Sequence, residues 1–338
     1  MNGAKAVTVT LFLLIGSACS AVRSPVEKDT LRVLVWNVLH GANDVERGPE
    51  KALRVIEAAA PDLVLMQESY EIDGDRPTLG RWIAGRLGWQ CHQSDSPHLC
   101  VLTKDKIRAR FVHHPWHGVG VRIRDKGSRE FLAYSIWIDY RAFLGYELRD
   151  NPQISDDELL RAESARSSRL PQTQSLIEHL SEQGHLAADV PLLVGGDWNT
   201  PSHLDWTPDA ARVYRRRRPL ALPVSRAMES AGFTDVFRGV HPNPIQRPGI
   251  TWTPMFRAGT SSAEQAFDRI DRLYLKNADR PSGGWQLEPA AAKVLPEQWD
   301  PDDVPPNQHS FPSDHCAVLL TMRWRRGGRA RQANEPTR

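Results

Sequence analysis

Five short polar clusters, each placed where an apolar run starts or stops, constrain this chain more than any other feature. Trp36-Asn37 closes the run 31–35, Gln67-Glu68 closes 63–66, and Gly196-Asp197-Trp198-Asn199 closes 191–195. Asp268-Arg269-Ile270-Asp271 and Phe311-Pro312-Ser313-Asp314-His315 lead into two more strand-like runs, 270–275 and 317–324. Runs of this length, rich in Val, Ile and Leu, read as buried strands. A sheet aligns strand ends from distant parts of a chain along one edge, so these polar groups can converge there.

Between the strand-like runs lie helical stretches. Residues 50–60 carry apolar positions at helical spacing and stop before Pro61, and a second helix is expected around Trp82, Ile83 and Leu87. Residues 156–180 read as the longest helix, ending near Gly184, and 225–231 as a short one stopped by Gly232. Further strands are expected over 99–102 and 131–138. Neither a repeat nor a low-complexity linker divides the chain, so one mature domain over residues 30–325 is expected, followed by a disordered tail, 326–338. At 338 residues, 40% hydrophobic and 25% charged, such a domain can bury a large core. The net charge of +2 neither favours nor excludes a polyanionic partner.

The residue types in the five clusters suit metal-dependent phosphoester hydrolysis. Glu68 follows an apolar run, an expensive place for a carboxylate without a cation or hydrogen bonds. It is the leading metal-ligand candidate, with Asn37 offering an amide oxygen to the same ion. Asp197 and Asn199, two apart, would share a side, one handling water and the other a phosphoryl oxygen. His315 suits a phosphate ligand or general acid/base, with Asp271 fixing its tautomer. Asp314 adjoins His315, so the two would face opposite ways on a strand unless a turn intervenes. Ser313-Asp314-His315 is not a serine-hydrolase triad, because adjacent residues cannot line up nucleophile, base and orienter. A multi-histidine zinc site is also disfavoured: the 12 histidines include no His-x-His pair, and the one His-x-x-x-His spacing, His113 to His117, spans Pro115 and so does not read as a helix face.

On Trp36-Asn37, Met66-Gln67-Glu68, Gly196-Asp197-Trp198-Asn199, Arg269-Ile270-Asp271 and Ser313-Asp314-His315, the chain resembles the endonuclease/exonuclease/phosphatase superfamily. That superfamily includes pancreatic deoxyribonuclease, abasic-site endonucleases, bacterial sphingomyelinases and inositol polyphosphate phosphatases. The resemblance implies an α/β fold: a four-layer sandwich of two mainly antiparallel sheets packed face to face, with helices outside. It implies Mg²⁺ or Mn²⁺ at Glu68 and Asn37, water and phosphate handling by Asp197 and Asn199, and a phosphate-binding His315 oriented by Asp271. Asp314 is implied to help hold metal or position its neighbours. The substrate would be a phosphoester of nucleic acid, phospholipid or a small diester, and the protein a monomer. One departure stands out: where the family usually carries His or Tyr on the strand before the long helix, the alignment places Trp137, or Tyr140 with a local shift. Trp206 and Trp252 are expected either to line the cleft or to pack beneath its loops.

Three outlying features complete the reading. Lys5, the apolar run 6–15 and Gly16-Ser17-Ala18-Cys19 resemble an export leader over residues 1–21 with a lipidation box at Cys19. Export would permit a Cys91–Cys100 disulfide across a polar, proline-containing loop. The run Arg215-Arg216-Arg217-Arg218 reads as a solvated turn or a phosphate-steering patch. Specificity loops are expected over 206–218 and 286–310.

Overall fold

The computed structural model describes residues 29–214, 218–253, 266–301 and 303–326. Two six-stranded sheets pack face to face between helices, as expected. The first sheet runs, in spatial order, β11 (Trp285–Leu295), β12 (Ala317–Arg326), β1 (Thr30–Asn37), β2 (Leu63–Gln67), β4 (Leu99–Thr103) and β3 (Gln90–Gln93). The second runs β5 (Lys106–His114), β6 (Gly118–Arg124), β7 (Glu130–Trp137), β8 (Leu192–Asp197), β10 (Asp271–Lys276) and β9 (Thr234–Asp235). Each sheet is antiparallel except for one central parallel pair, β1 with β2 and β7 with β8.

Alternation along the central strands builds the layers. In β1, Val33 and Val35 point into the inter-sheet core with Leu63, Leu65, Val119, Val121, Ala133, Leu193 and Leu273. Leu34 and Trp36 point outward, beneath α1 (Gly48–Ala59) and α2 (Leu79–Leu87). On the far side, α5 (Arg169–Glu182) and α7 (Pro223–Ser230) cover Tyr134, Ile136 and Val194. With both faces covered, the central strands read as continuous apolar runs, which made them legible. The parallel pairs matter for the site: each needs a crossover, so β1, β2, β7 and β8 all end at the same edge.

Several expectations change. The long helix over 156–180 is two helices, α4 (Asp156–Ser164) and α5, preceded by a short α3 (Leu144–Asp150). The break is held by Arg169, fully buried, which pairs with Glu163 at 2.9 Å and donates to the carbonyls of Asp139, Arg141, Ala142 and Ala162. The β5–β6 hairpin and β11 were not expected. Their alternating polar residues suit sheet margins, and β11 carries Pro289 beside a bulge, a placement tolerated at an edge. Consequently 286–295 is strand, not loop.

The expected Cys91–Cys100 disulfide is also corrected: both are free thiols. They do lie on adjacent strands, but Cys91 sits opposite Leu102 and Cys100 opposite Gln93. Across that diagonal the two thiols are in side-chain contact, a reduced pair rather than a bonded one. The leader with Cys19, three of the four clustered arginines and residues 327–338 lie outside the described residues. Arg218 is not a free steering charge; it pairs with Asp156 and donates to the carbonyls of Pro152 and Ile154. The remaining helices are α6 (Pro208–Val213) and α8 (Val236–Val240).

Candidate active site

The five clusters meet at the common strand edge. Register places Asn37 level with Gln67, and Asp197 level with both Trp137 and Asp271. Gly196 permits this because a Cβ there would lie 1.9 Å from the Ile136 carbonyl oxygen. Glu68 and Asn199, the residues just past β2 and β8, hold positive φ values of 57° and 48°. Such conformations are uncommon for residues other than glycine and concentrate at functional sites. They turn both side chains back toward the edge.

Asn37 links the two sheets. Its Nδ2 donates to Glu68 Oε1 at 3.0 Å and to Asp197 Oδ2 at 3.1 Å, while its Oδ1 accepts from the Leu39 amide at 3.0 Å. In this arrangement it offers the carboxylates its amino group rather than its oxygen. Glu68 Oε2 accepts from the His40 amide at 3.1 Å. Asp197 Oδ1 accepts from the Asn199 amide at 2.9 Å, and Asn199 Nδ2 donates to the Ile138 carbonyl at 2.8 Å. Deeper in, Gln67 Nε2 donates to Ser135 Oγ, and that hydroxyl donates to the Met66 carbonyl, stitching the sheets beneath the site.

His315 closes the group. Its Nδ1 lies 2.9 Å from Asp271 Oδ2, and its Nε2 faces Asp197 Oδ2 at 3.8 Å and Asp314 Oδ1 at 4.0 Å. The adjacent Asp314 and His315 can both face the cleft because a turn precedes β12. Ser313 Oγ makes that turn, accepting from the His315 amide and donating to the Asn37 carbonyl. Asp314 Oδ2 accepts from Trp252 Nε1 at 3.1 Å, and Trp252 also bridges to the backbone at Asp268 and His315. Trp252 therefore lines the site, whereas Trp206 is buried beneath it and donates Nε1–H to Asp268 Oδ1.

The cluster is rich in acid. Burial, with Asp271 adding and His315 opposing, raises Asp197 to about 7. Burial would lower His315, but Asp271, Asp197 and Asp314 outweigh it and raise the imidazole to about 10. Asp314 is raised by burial, with Glu68 and Asp271 adding. The buried Oδ1 atoms of Asp271 and Asp314 have no hydrogen-bond partner among the described residues. Crowded, partly unsatisfied carboxylates of this kind fit a divalent cation and a protonated imidazole. A ligand-atom triangle of Asp197, Asp271 and His315, all within 4.8 Å, lies in the same cluster.

On the second-sheet side the rim is aromatic, and here the sequence reading fell short. Trp137, not Tyr140, is the strand residue level with Asp197. Around it stand His98 at 4.8 Å edge-on, His117 at 6.4 Å and Tyr140 at 6.0 Å, measured between ring centres. Trp116 stacks on His98 at 4.7 Å, and Tyr70 Oη lies 2.6 Å from His98 Nδ1. Trp116 is 43% exposed and Tyr140 64%. Trp137 itself was singled out by position, but the histidines and Trp116 had no local pattern to mark them.

A family model described as the Endonuclease/Exonuclease/phosphatase family matches residues 34–315. The chain belongs to that family, whose members are typically divalent-metal-dependent phosphoester hydrolases. Among curated proteins it is similar to the uncharacterized protein F14F9.5 of Caenorhabditis elegans, 26% identical over 319 residues, covering 91% of this chain and 96% of that one. Among solved structures it resembles truncated C. elegans TDP2 at 15% identity, TM-score 0.53, covering 87% of this chain and 97% of that one. It is also similar to an AP endonuclease from Archaeoglobus fulgidus at 14% identity, TM-score 0.53, covering 86% and 98%. At these identities the structural likeness speaks for the fold.

Proposed function

We propose that this protein is a divalent-metal-dependent phosphodiesterase that hydrolyses its substrate by in-line attack of water. The observation behind the reading is the juxtaposition of Glu68, Asn37, Asp197, Asp271, Asp314 and His315 at one edge shared by two sheets. Glu68 would hold the cation, with the free Oδ1 of Asp314 and the second lone pair of Asn37 Oδ1 within the same donor set. A bound Mg²⁺ or Mn²⁺ supplies charge neutralisation on phosphoryl oxygens.

His315 is kept protonated by the acids around it, so its Nε2–H is a charged donor for a phosphoryl oxygen, and Asp271 fixes the ring. Asp197 shares the pocket with Nε2 and carries a carboxylate raised toward neutrality, suited to orienting water and accepting its proton. Asn199 keeps Asp197 Oδ1 in place through its amide.

The exposed rings of Trp116 and Tyr140 beside Trp137 favour a substrate bearing a planar group over one bearing only acyl chains, because rings stack on such a rim. The assay uses bis-p-nitrophenyl phosphate, p-nitrophenyl phosphate, plasmid DNA and sphingomyelin micelles, each with Mg²⁺, Mn²⁺ or EDTA. Metal-dependent cleavage that Glu68→Gln and His315→Ala abolish supports the reading, and the responding substrate assigns the class. Hydrolysis unchanged in both variants would overturn it. Export is proposed on the leader-like residues 1–21 alone, and the mass of protein recovered from the cell envelope tests it.

A further inference from the structure

Three consecutive residues, Trp137, Ile138 and Asp139, carry the chain out of β7 beside Asp197. The middle one meets the site through its backbone. The Ile138 amide donates to the Asp197 carbonyl at 3.2 Å, and its carbonyl accepts from Asn199 Nδ2 at 2.8 Å. The backbone groups on either side of it are taken up by two side chains that the catalytic reading does not use. The Trp137 carbonyl lies 3.2 Å from His117 Nδ1, and the Asp139 amide donates to Gln172 Oε1 at 2.8 Å. Gln172 Nε2 and His117 Nε2 are 3.1 Å apart, which closes a relay from one backbone group to the other. His117 stands just before β6, where Gly118 pairs with Ile136, and Gln172 lies in the first turn of α5.

Only one assignment of donors and acceptors satisfies the relay. A backbone amide can only donate, so Gln172 turns its oxygen to Asp139 and its amino group to His117. A carbonyl can only accept, so His117 Nδ1 carries the hydrogen and Nε2 accepts from Gln172. A second N–H on the ring would meet the Gln172 amino group head-on, and turning the amide over would move that conflict to the Asp139 N–H. The charged and titratable groups around the ring are His114, stacked at 4.4 Å, His98 on the edge of Trp137, and Asp139, whose carboxylate pairs with Arg141 at 2.6 Å. Burial and His114 push the imidazole below its ordinary range, against the Trp137 carbonyl and Asp139.

We propose that Gln172 and His117 are positioning residues for hydrolysis: as one unit they fix the 137–139 backbone against which Asp197 and Asn199 are set. This rests on the reading of Asp197 as the group that orients water, and it adds the support behind that group. Neither side chain touches the reacting atoms. Their effect is on placement, and a displacement of about 1 Å at a reacting group can cost about 10²-fold in rate.

Steady-state kinetics on bis-p-nitrophenyl phosphate, thermal melts and imidazole-nitrogen NMR of the full chain test this. Gln172→Leu is expected to lower kcat roughly tenfold to a hundredfold with little change in KM. His117→Phe keeps a ring beside Trp137 and is expected to lose a similar factor. The double variant should lose no more than either alone, since the two residues act as a unit. Gln172→Glu carries the distinguishing signature. Its carboxylate still accepts from the Asp139 amide but faces Nε2 with an acceptor, so His117 must be protonated to complete the relay. That variant is expected to lose turnover on the alkaline side at a lower pH than wild type. Its ring-nitrogen shifts should report a doubly protonated His117, against a neutral ring with hydrogen on Nδ1 in wild type. If Gln172→Leu does not fold, the Gln172→Glu profile decides alone. Full turnover in folded Gln172→Leu, additive losses in the double variant, or a Gln172→Glu profile that follows wild type overturns the relay while leaving the hydrolase reading intact. Wild-type protein without metal-dependent hydrolysis overturns that reading, and the role built on it.

Discussion

Two buried charge networks diverge from the segment 268–272, and they are built on opposite principles. Behind the site, Arg269 pairs with Asp205 and Asp235 at 2.8 Å each, and Arg238 pairs with Asp205 at 2.6 Å. Arg238 also donates to the carbonyls of His241, Arg247 and Pro248. Two guanidinium groups thus face two carboxylates, and although burial would raise Asp205, the arginines hold it below the usual carboxylate range. Asp271, two residues from Arg269, belongs instead to a group of three acids around one imidazole, Asp197, Asp271, Asp314 and His315. The first network balances its charges internally, two guanidinium groups against two carboxylates. The acidic one is completed only by a proton, a cation or a substrate, and that imbalance distinguishes chemistry from scaffold.

The sharpest way to break the comparison is Asp197→Asn. Hydrolysis is expected to fall by roughly 10³-fold or more, as for loss of a general base. The metal-free melting temperature should hold or rise, because one buried like charge is gone; steady-state rates and a thermal melt check both. Arg269→Met should do the reverse. Leaving Asp205 and Asp235 short of a partner is expected to cost about 3–5 kcal/mol in urea unfolding. Turnover per folded molecule should change far less than in Asp197→Asn, and equal loss of turnover would erase the distinction.

The pH response sharpens it further. His315 is raised from 6.5 to about 10, so the folded state holds an extra proton between those values. Its contribution to stability is complete below pH 6.5 and is lost as pH rises through 10. Asp197, also raised, acts with the same sign at lower pH. The metal-free protein should therefore lose melting temperature between pH 7 and 10, and His315→Gln should flatten that slope. A slope unchanged in the variant would mean that other groups set it. The smallest expected effect is Trp252→Phe, which removes the donor to Asp314 while keeping the ring. About 1–2 kcal/mol of stability should go, together with a several-fold loss of turnover.

Much of this was legible because strand ends are a local property. Apolar runs that stop at Asn37, Glu68 and Asp197, or begin after Asp271 and His315, announce which residues can share an edge. Asp271 as the partner of His315 was anticipated, and the contact is there. Elements without a strong period were missed or merged: the β5–β6 hairpin alternates charges at a margin, and the helix break at 165–168 depends on Arg169 reaching carbonyls up to 30 residues away. The two cysteines do meet across neighbouring strands, but the thiols are free, because whether such a pair is oxidised is set by its redox surroundings and not by the spacing of two residues.

By itself, then, the chain's order of residues determined the strand ends and the chemical types gathered at the site, since these follow from periodicity and from the cost of burying charge, and the resemblance carried by those motifs implied the fold class. The tertiary structure alone decided how those groups are used. It turns the amino group of Asn37 toward two carboxylates and brings Asp314 and His315 onto one side through Ser313. Each of those outcomes depends on hydrogen bonds or register between segments that meet only after the sheets have packed, and no local pattern encodes a partner that distant.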